Sequence, residues 1–378
     1  MRPVAILLLV FLLSGCSDEN ESSPDDSLVG TFAPVDTIGD VGSGALLRFD
    51  AAGVAHIAYR DVTRRLLRLA TRLPDGSWSI ETIVGESDDS YRFSLAFDRN
   101  GDPLVTYQRP TGERLEAELL IARRSAAGWE TEVIDGTGGW VGSWSSIGLD
   151  RRGNLSVAYF AGYPNYDLRY AYRVGAEWVR ESVHTEGESG YAASLDFEMD
   201  GTPMIAHGAS TVGLMISRRR THGWETELIA HEPFTGPHLS MTSAGFGRPL
   251  IAYRGGTSRD DTDLLVATPE AGGWRTGTVD AVGDVGYHPS LVLDRAGNPW
   301  IGYRGGRGFL TVAHADGGEW RCTDMEAAGT IYGSSLAVDP NGRLGIALEG
   351  AGDLSFGWID RMSQPAAPTA ATRGLSAN

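Results

Sequence analysis

Ser94-Leu95-Ala96-Phe97-Asp98-Arg99-Asn100-Gly101-Asp102-Pro103-Leu104-Val105-Thr106-Tyr107 is the clearest copy of a pattern that recurs seven times between Leu46 and Leu348. A variable loop and an apolar stretch follow it, and then Gly128-Trp129-Glu130-Thr131-Glu132-Val133-Ile134. A period of about fifty residues marks stacked supersecondary units, none of which can bury its apolar face alone.

The copies align position by position. The turn glycine is Gly53, Gly101, Gly153, Gly201, Gly247, Gly297 and Gly342. Four residues before the turn acid stands a serine, Ser94, Ser146, Ser194, Ser240, Ser290 or Ser335, with Leu46 as the departure. The acid is Asp50, Asp98, Asp150, Glu198, Asp294 or Asp339, broken by Ala244. Tyr59, Tyr107, Tyr159, Tyr253 and Tyr303 close the next segment, with His207 and Leu348 in two copies, and a tryptophan opens the last strand of six copies, from Trp78 to Trp320.

Each copy divides into four strands. In the second copy these are Ser94 to Asp98, Pro103 to Tyr107, Leu119 to Arg124 and Trp129 to Ile134. The first two are joined by a tight turn whose glycine supplies a positive φ, and Pro103, Pro203, Pro249 and Pro299 take first positions of strands, where a missing donor is tolerated. Small residues recur at one point on the third strand (Ala70, Ala122, Ala171, Ser217, Ala267, Ala313, Gly357), so that neighbouring sheets can approach closely. Four antiparallel strands repeated radially are a propeller blade, so the expected fold is an all-β, seven-bladed β-propeller. The last copy lacks a fourth strand. Val35-Asp36-Thr37-Ile38-Gly39-Asp40-Val41-Gly42 matches Val279-Asp280-Ala281-Val282-Gly283-Asp284-Val285-Gly286, so the N-terminal strand is expected to supply it and remove an open edge.

Outside the array, Val4 to Leu13 is an apolar run behind Arg2, too short to span a bilayer and typical of a signal-peptide core. Leu13-Ser14-Gly15-Cys16 resembles the bacterial lipoprotein cleavage motif, which implies acylation of Cys16 as the new N-terminus and, with Ser17 following, retention at the outer membrane. The expected organisation is a signal peptide over 1–15, an acidic flexible tether over 16–29, the propeller over 30–360 and a disordered tail over 361–378. With Cys16 acylated, Cys322 is left without a partner and is expected to be a buried bystander. The formal charge of −17 argues against nucleic acid and against general attraction to anionic lipid, leaving the lipid chain as the membrane contact of a monomer.

Variable loops on a rigid scaffold carry function more often than the short repeated turns. On the face that bears the blade-to-blade connections, the inner strands begin with Tyr91, Arg92, Trp144, Tyr191, His238, Tyr287, His288 and Tyr332. Arg60, Gln108, Arg254, Arg304 and Glu349 leave the second strands beside them, with Tyr163 and Tyr166 in the long loop of the third copy. Aromatic faces beside guanidinium groups suit a sugar ring or an anionic glycan. The same aromatics can equally plug the channel, with the arginines paired to acids such as Asp61, Asp261 and Asp263. His238 and His288 hold equivalent positions in adjacent copies and, with Tyr287 and the arginines, form a candidate for proton abstraction beside a uronate, His or Tyr serving as base. No metal site is assigned: the Asp-x-x-Gly turn lacks the acids of a calcium cage and is explained by side-chain capping. No phosphate-cradling loop or nucleophile turn is present, so no cofactor is expected.

The motif Ser-Leu-x-x-Asp-x-x-Gly-x-Pro-x-Ile-Ala-Tyr with a later Gly-Trp resembles the repeats of secreted bacterial propellers of the sialidase-like, BNR-like type. The resemblance spans nearly all of 30–360 and implies the fold. Ser125-Ala126-Ala127-Gly128-Trp129 keeps only the serine, glycine and tryptophan of the sialidase turn, so sialidase activity is not carried over. The expected function is a non-catalytic envelope lipoprotein binding a glycan or a protein partner. The alternatives are a lyase or glycosidase acting on an acidic glycan and an envelope-assembly scaffold.

Overall fold

The computed structural model describes residues 16, 28–85, 93–209, 212–231, 238–243, 248–258, 261–316 and 318–361. These form seven four-stranded antiparallel sheets. Six are simple meanders within 41–84, 94–135, 141–184, 189–230, 239–280 and 287–324. The seventh combines Gly333–Val338, Leu344–Glu349 and Leu354–Arg361 with the N-terminal strand Leu28–Asp36. Inner strands touch in ring order, blade 7 returning to blade 1, so the chain is a seven-bladed β-propeller closed by its own N-terminus. The closing strand runs from Leu28↔Arg361 to Asp36↔Leu354.

Each repeated residue has a mechanical task. Asp98 Oδ1 accepts the N–H groups of Asn100 and Asp102 while Gly101 (φ 86°) donates to the Asp98 carbonyl. The same side-chain-capped turn recurs at Asp50, Asp150, Asp294 and Asp339. The inner serines latch blade to blade. Ser94 Oγ accepts the N–H of Ile147 at 3.1 Å, and Ser146, Ser194, Ser240, Ser290 and Ser335 accept those of Leu195, Met241, Leu291, Leu336 and Leu47 at 2.8–3.2 Å. Leu46 has no hydroxyl to offer blade 2. At about 1 kcal/mol each, six such bonds form a sizeable part of the ring's cohesion.

A second latch lies further out. The hydroxyls of the wholly buried Tyr59, Tyr159 and Tyr303 donate to Asp36, Asp135 and Asp280 at the end of the preceding blade's last strand, at 2.7, 2.7 and 2.5 Å. Arg68 and Arg169 reach the first two of these carboxylates. Burial pushes the Asp36 and Asp135 carboxyls up, but hydrogen bonds from the tyrosines and neighbouring residues, with the arginine charge, hold both below the usual value. The small residues of the third strands, Ala70, Ala122, Ala171, Ser217, Ala267 and Ala313, are completely buried. At Gly357 an added Cβ would stand 2.5 Å from the Phe32 ring.

Cys322 is not a bystander. It forms a disulfide with Cys16 (Cα–Cα 5.8 Å), and the Cys16 N–H donates to Val279 O at 2.8 Å. The expectation missed this pairing because it gave the Cys16 sulfur to a lipid, and one sulfur cannot serve both. Closing a loop across a separation of 306 residues restricts the unfolded chain strongly, by up to about 5 kcal/mol in the chain-entropy view. A chain purified under oxidising conditions with an unacylated Cys16 is therefore expected to take up alkylating reagent at neither cysteine until reduced. Labelling of Cys322 without reduction would show the bond is absent.

Candidate channel-mouth site

Four inner strands enter the ring through a matched irregularity. Val41-Gly42-Ser43-Gly44, Val141-Gly142-Ser143-Trp144, Ser189-Gly190-Tyr191-Ala192 and Val285-Gly286-Tyr287-His288 each carry a register shift against the second strand. In each, the second residue is a positive-φ glycine, and the fourth is also left-handed (Gly44 66°, Trp144 48°, Ala192 51°, His288 50°). Glycine is required at the second position: a Cβ on Gly142 would meet Leu119 at 2.9 Å, and one on Gly190 would meet Leu168 at 3.0 Å. The left-handed backbone at Trp144 and His288 costs roughly 1–2 kcal/mol each, a cost typically found where a bulge re-aims a side chain. All four fourth-position residues line one cavity of about 410 Å³ that opens at the mouth beside Tyr332 and Glu349.

Two groups of side chains stand at this mouth. Between blades 3 and 4, Trp144 meets Phe160 and Tyr191 edge-on at 5.4 and 5.2 Å, Phe160 stacks on Tyr191 at 4.8 Å, and Tyr166 lies 6.3 Å from Phe160. Between blades 5 and 6, the His238 and His288 rings stand edge-to-face at 4.4 Å, and His238 lies 5.5 Å from Tyr287. The Arg254 guanidinium lies 3.8 Å above the Tyr287 ring and donates to the Tyr287 oxygen at 2.7 Å and to Asp284 at 2.9 Å. Tyr287 donates to the other oxygen of Asp284 at 2.8 Å, and Thr262 to the first at 2.5 Å. Arg304, opposite Tyr287 in register, approaches the same ring at 5.5 Å and has a buried Nε with no hydrogen-bond partner among the described residues.

The electrostatics assign roles. Burial raises the Asp284 carboxyl, yet Thr262, Tyr287 and Arg254 outweigh it and keep Asp284 below its ordinary pKa, an anion. Burial and the hydrogen bond to Asp284 push the Tyr287 phenol up, so it stays protonated at neutral pH.

The other candidates divide. Tyr332 is 55% exposed at the mouth. Arg60 is buried in the second strand of blade 1, opposite Ser43, and is not displayed on the face as expected. Arg254 and Arg304 both approach the Tyr287 ring. Gln108 closes the seam to blade 3 through Val141 O and Ser143. Glu349 Oε2 accepts the Gly44 N–H at 3.0 Å. Tyr91 and Arg92 lie outside the described residues. Among the described residues no three His, Cys, Asp or Glu side chains converge on a metal position, and no helix is long and apolar enough to cross a membrane.

Fold and mouth together define a β-propeller with a polar-aromatic channel entrance. No family model matches the chain, and no curated protein matches it. Solved structures do. An ulvan lyase described as a new family of polysaccharide lyase superposes with a TM-score of 0.56 at 10% identity, covering 86% of this chain and 95% of that one. A protein of unknown function from Dyadobacter fermentans gives 0.52 at 12% identity, covering 90% and 100%. The six-bladed Aleuria aurantia lectin, described by its fucose recognition mode, gives 0.50 at 13%, covering 75% and 96%. At these identities the likeness shows the propeller fold.

Proposed function

We propose that this propeller binds a glycan across the channel mouth without altering it. The observation that supports the reading is one cavity lined by Trp144 on one side and by His238 and His288 on the other, with Trp144 and His288 set on bulged strands and with Arg254 and Arg304 packed on the Tyr287 ring beside His238. Sugar C–H faces pack on aromatic rings, and guanidinium groups with a protonated phenol bond hydroxyls or a carboxylate. Two of the similar folds belong to proteins that handle carbohydrate, which agrees with this reading. The repeat type, and a place at the outer membrane to meet a glycan or an envelope protein, belong to the same proposal and rest on the sequence; an acyl chain on Cys16 would exclude the Cys16–Cys322 bond, so the anchored and the disulfide-bonded chains are alternatives.

Glycan-array screening followed by calorimetry tests it. Trp144→Ala is expected to weaken binding about thirtyfold, the loss of one aromatic anchor worth about 2 kcal/mol. Unchanged affinity in that variant would place the ligand elsewhere. The His238–His288 contact favours one second reading, a lyase in which a neutral histidine removes the proton beside a uronate carboxylate that Arg304 neutralises. Release of an unsaturated sugar from an acidic polysaccharide, lost in His288→Ala, would establish it.

A further inference from the structure

Below the mouth the same cavity is walled by the inner serines Ser94, Ser146, Ser194, Ser240, Ser290 and Ser335. Each Oγ already accepts a backbone N–H from the next blade. A serine hydroxyl has one proton besides its lone pairs, so a ring whose oxygens are occupied as acceptors turns donors toward a ligand. The seventh place in the ring is Leu46, and two residues beyond it Arg48 lines the cavity. The corresponding residues elsewhere are Ala96, Gly148, Asp196, Thr242, Val292 and Ala337, so this cation is an exception to the repeat.

Arg48 donates through Nη1 to the Leu47 carbonyl at 2.9 Å, and among the described residues no carboxylate pairs with it. Its side chain is exposed to the solvent of the lumen, and the protein packed around it lowers its pKa from the usual value. Arginine nonetheless keeps its charge in proteins. Glu349, which lines the same cavity, accepts the Gly44 N–H, and Asp196, at the position matching Arg48 in blade 4, accepts those of Phe197 and Ser243. In a chain of net charge −17, a guanidinium without a carboxylate partner, in one cavity with a ring of hydroxyl donors, offers a compact anion charge-assisted hydrogen bonds.

We infer that this chamber is an oxyanion site, in which Arg48 and the serine hydroxyls hold a carboxylate or sulfate group. Resting on the reading above, that group is the acidic substituent of a glycan lying over the mouth; the other source of the same chemistry is a free inorganic anion.

Calorimetry on the whole chain at constant ionic strength tests the site with sodium sulfate, and its source with a uronate-bearing disaccharide against a neutral disaccharide of the same skeleton. Saturable sulfate binding that weakens at least about tenfold in Arg48→Gln, with Arg48→Lys intermediate, supports the site. No sulfate binding up to about 10 mM, or equal binding by Arg48→Gln, overturns it whatever the disaccharides do. If Arg48→Gln fails to fold, the side-chain NMR signal of Arg48 in the wild type decides: it shifts on adding sulfate or the inference falls. A tenfold preference for the acidic disaccharide that vanishes in Arg48→Gln identifies the glycan substituent as the ligand; sulfate binding without that preference identifies the free anion. Failure of both disaccharides to bind sinks the mouth reading while leaving the sulfate result intact.

Discussion

A chain beginning at Thr37 is expected to lose its cooperative fold. It lacks Leu28–Asp36, the outer strand of blade 7, which pairs along its length with Leu354–Arg361. Removing it exposes a sheet edge, uncovers the Phe32 seat on Gly357, and leaves the wholly buried Tyr59 hydroxyl without the Asp36 carboxylate that receives it at 2.7 Å. About eight ladder bonds at roughly 1 kcal/mol, together with the stranded tyrosine, amount to on the order of 10 kcal/mol, the size of a domain's entire net stability. Thermal melting by circular dichroism should show no cooperative transition, and size exclusion should show aggregates. The truncation also removes Cys16, so the control is full-length Cys16→Ser, which should melt cooperatively. A monomeric truncated chain melting within a few degrees of that control would mean the ring does not depend on its closing strand.

The ring and its closure were legible because both are matters of period. Seven copies of a turn with Gly101 at its αL position fix the strand pairing, and the match of Val35–Gly42 to Val279–Gly286 marks where an outer strand leads into an inner one. The serines and tyrosines were visible as recurrences, and the structure gives the cause: Ser290 Oγ holds Leu336, and Tyr303 holds Asp280. The site was legible only in part. Counting two residues back from Ser240 and Ser290 found His238 and His288, which do meet at 4.4 Å. The same counting along the second strand put Arg60 on display, although Tyr59 and Arg60 are both buried because neighbouring blades cover both faces of that strand. The left-handed bulges at Trp144 and His288 leave only a glycine two residues earlier as their trace, and Arg48 falls at a position with no shared residue type. The Cys16–Cys322 bond, the one intramolecular pairing that two cysteines allow, was missed because the cleavage-motif resemblance assigned the Cys16 sulfur to an acyl chain.

Acid is expected to destabilise the propeller well before its carboxylates titrate, and His207 is the main cause. It replaces the repeat tyrosine in blade 4, and His184 takes the place that Asp36, Asp135 and Asp280 hold at the other latches; the two rings lie 5.6 Å apart. His207 is completely buried, with Nε2 3.0 Å from Ser217 Oγ and Nδ1 without a hydrogen-bond partner among the described residues. Burial first, and then the neighbouring His184, push its pKa down to about 3. An unfolded histidine titrates near 6.5. Above that value both states are neutral at this site and its contribution is complete. As pH falls below it, the unfolded chain takes up a proton that the folded chain refuses, and stability drops by up to about 1.4 kcal/mol per pH unit until the folded pKa is reached. His184 and His56, both lowered by burial, act in the same direction, while Asp36 and Asp135, lowered in spite of burial, withdraw their support only below about pH 4. Urea unfolding at intervals from pH 7 to pH 4 should show the wild type weakening steadily, and His207→Gln, polar but not titrating, should flatten that slope by one proton's worth whatever its stability at pH 7. Parallel slopes for the two chains would show that His207 already accepts its proton in the folded ring, and that the His184–His207 latch is open to water.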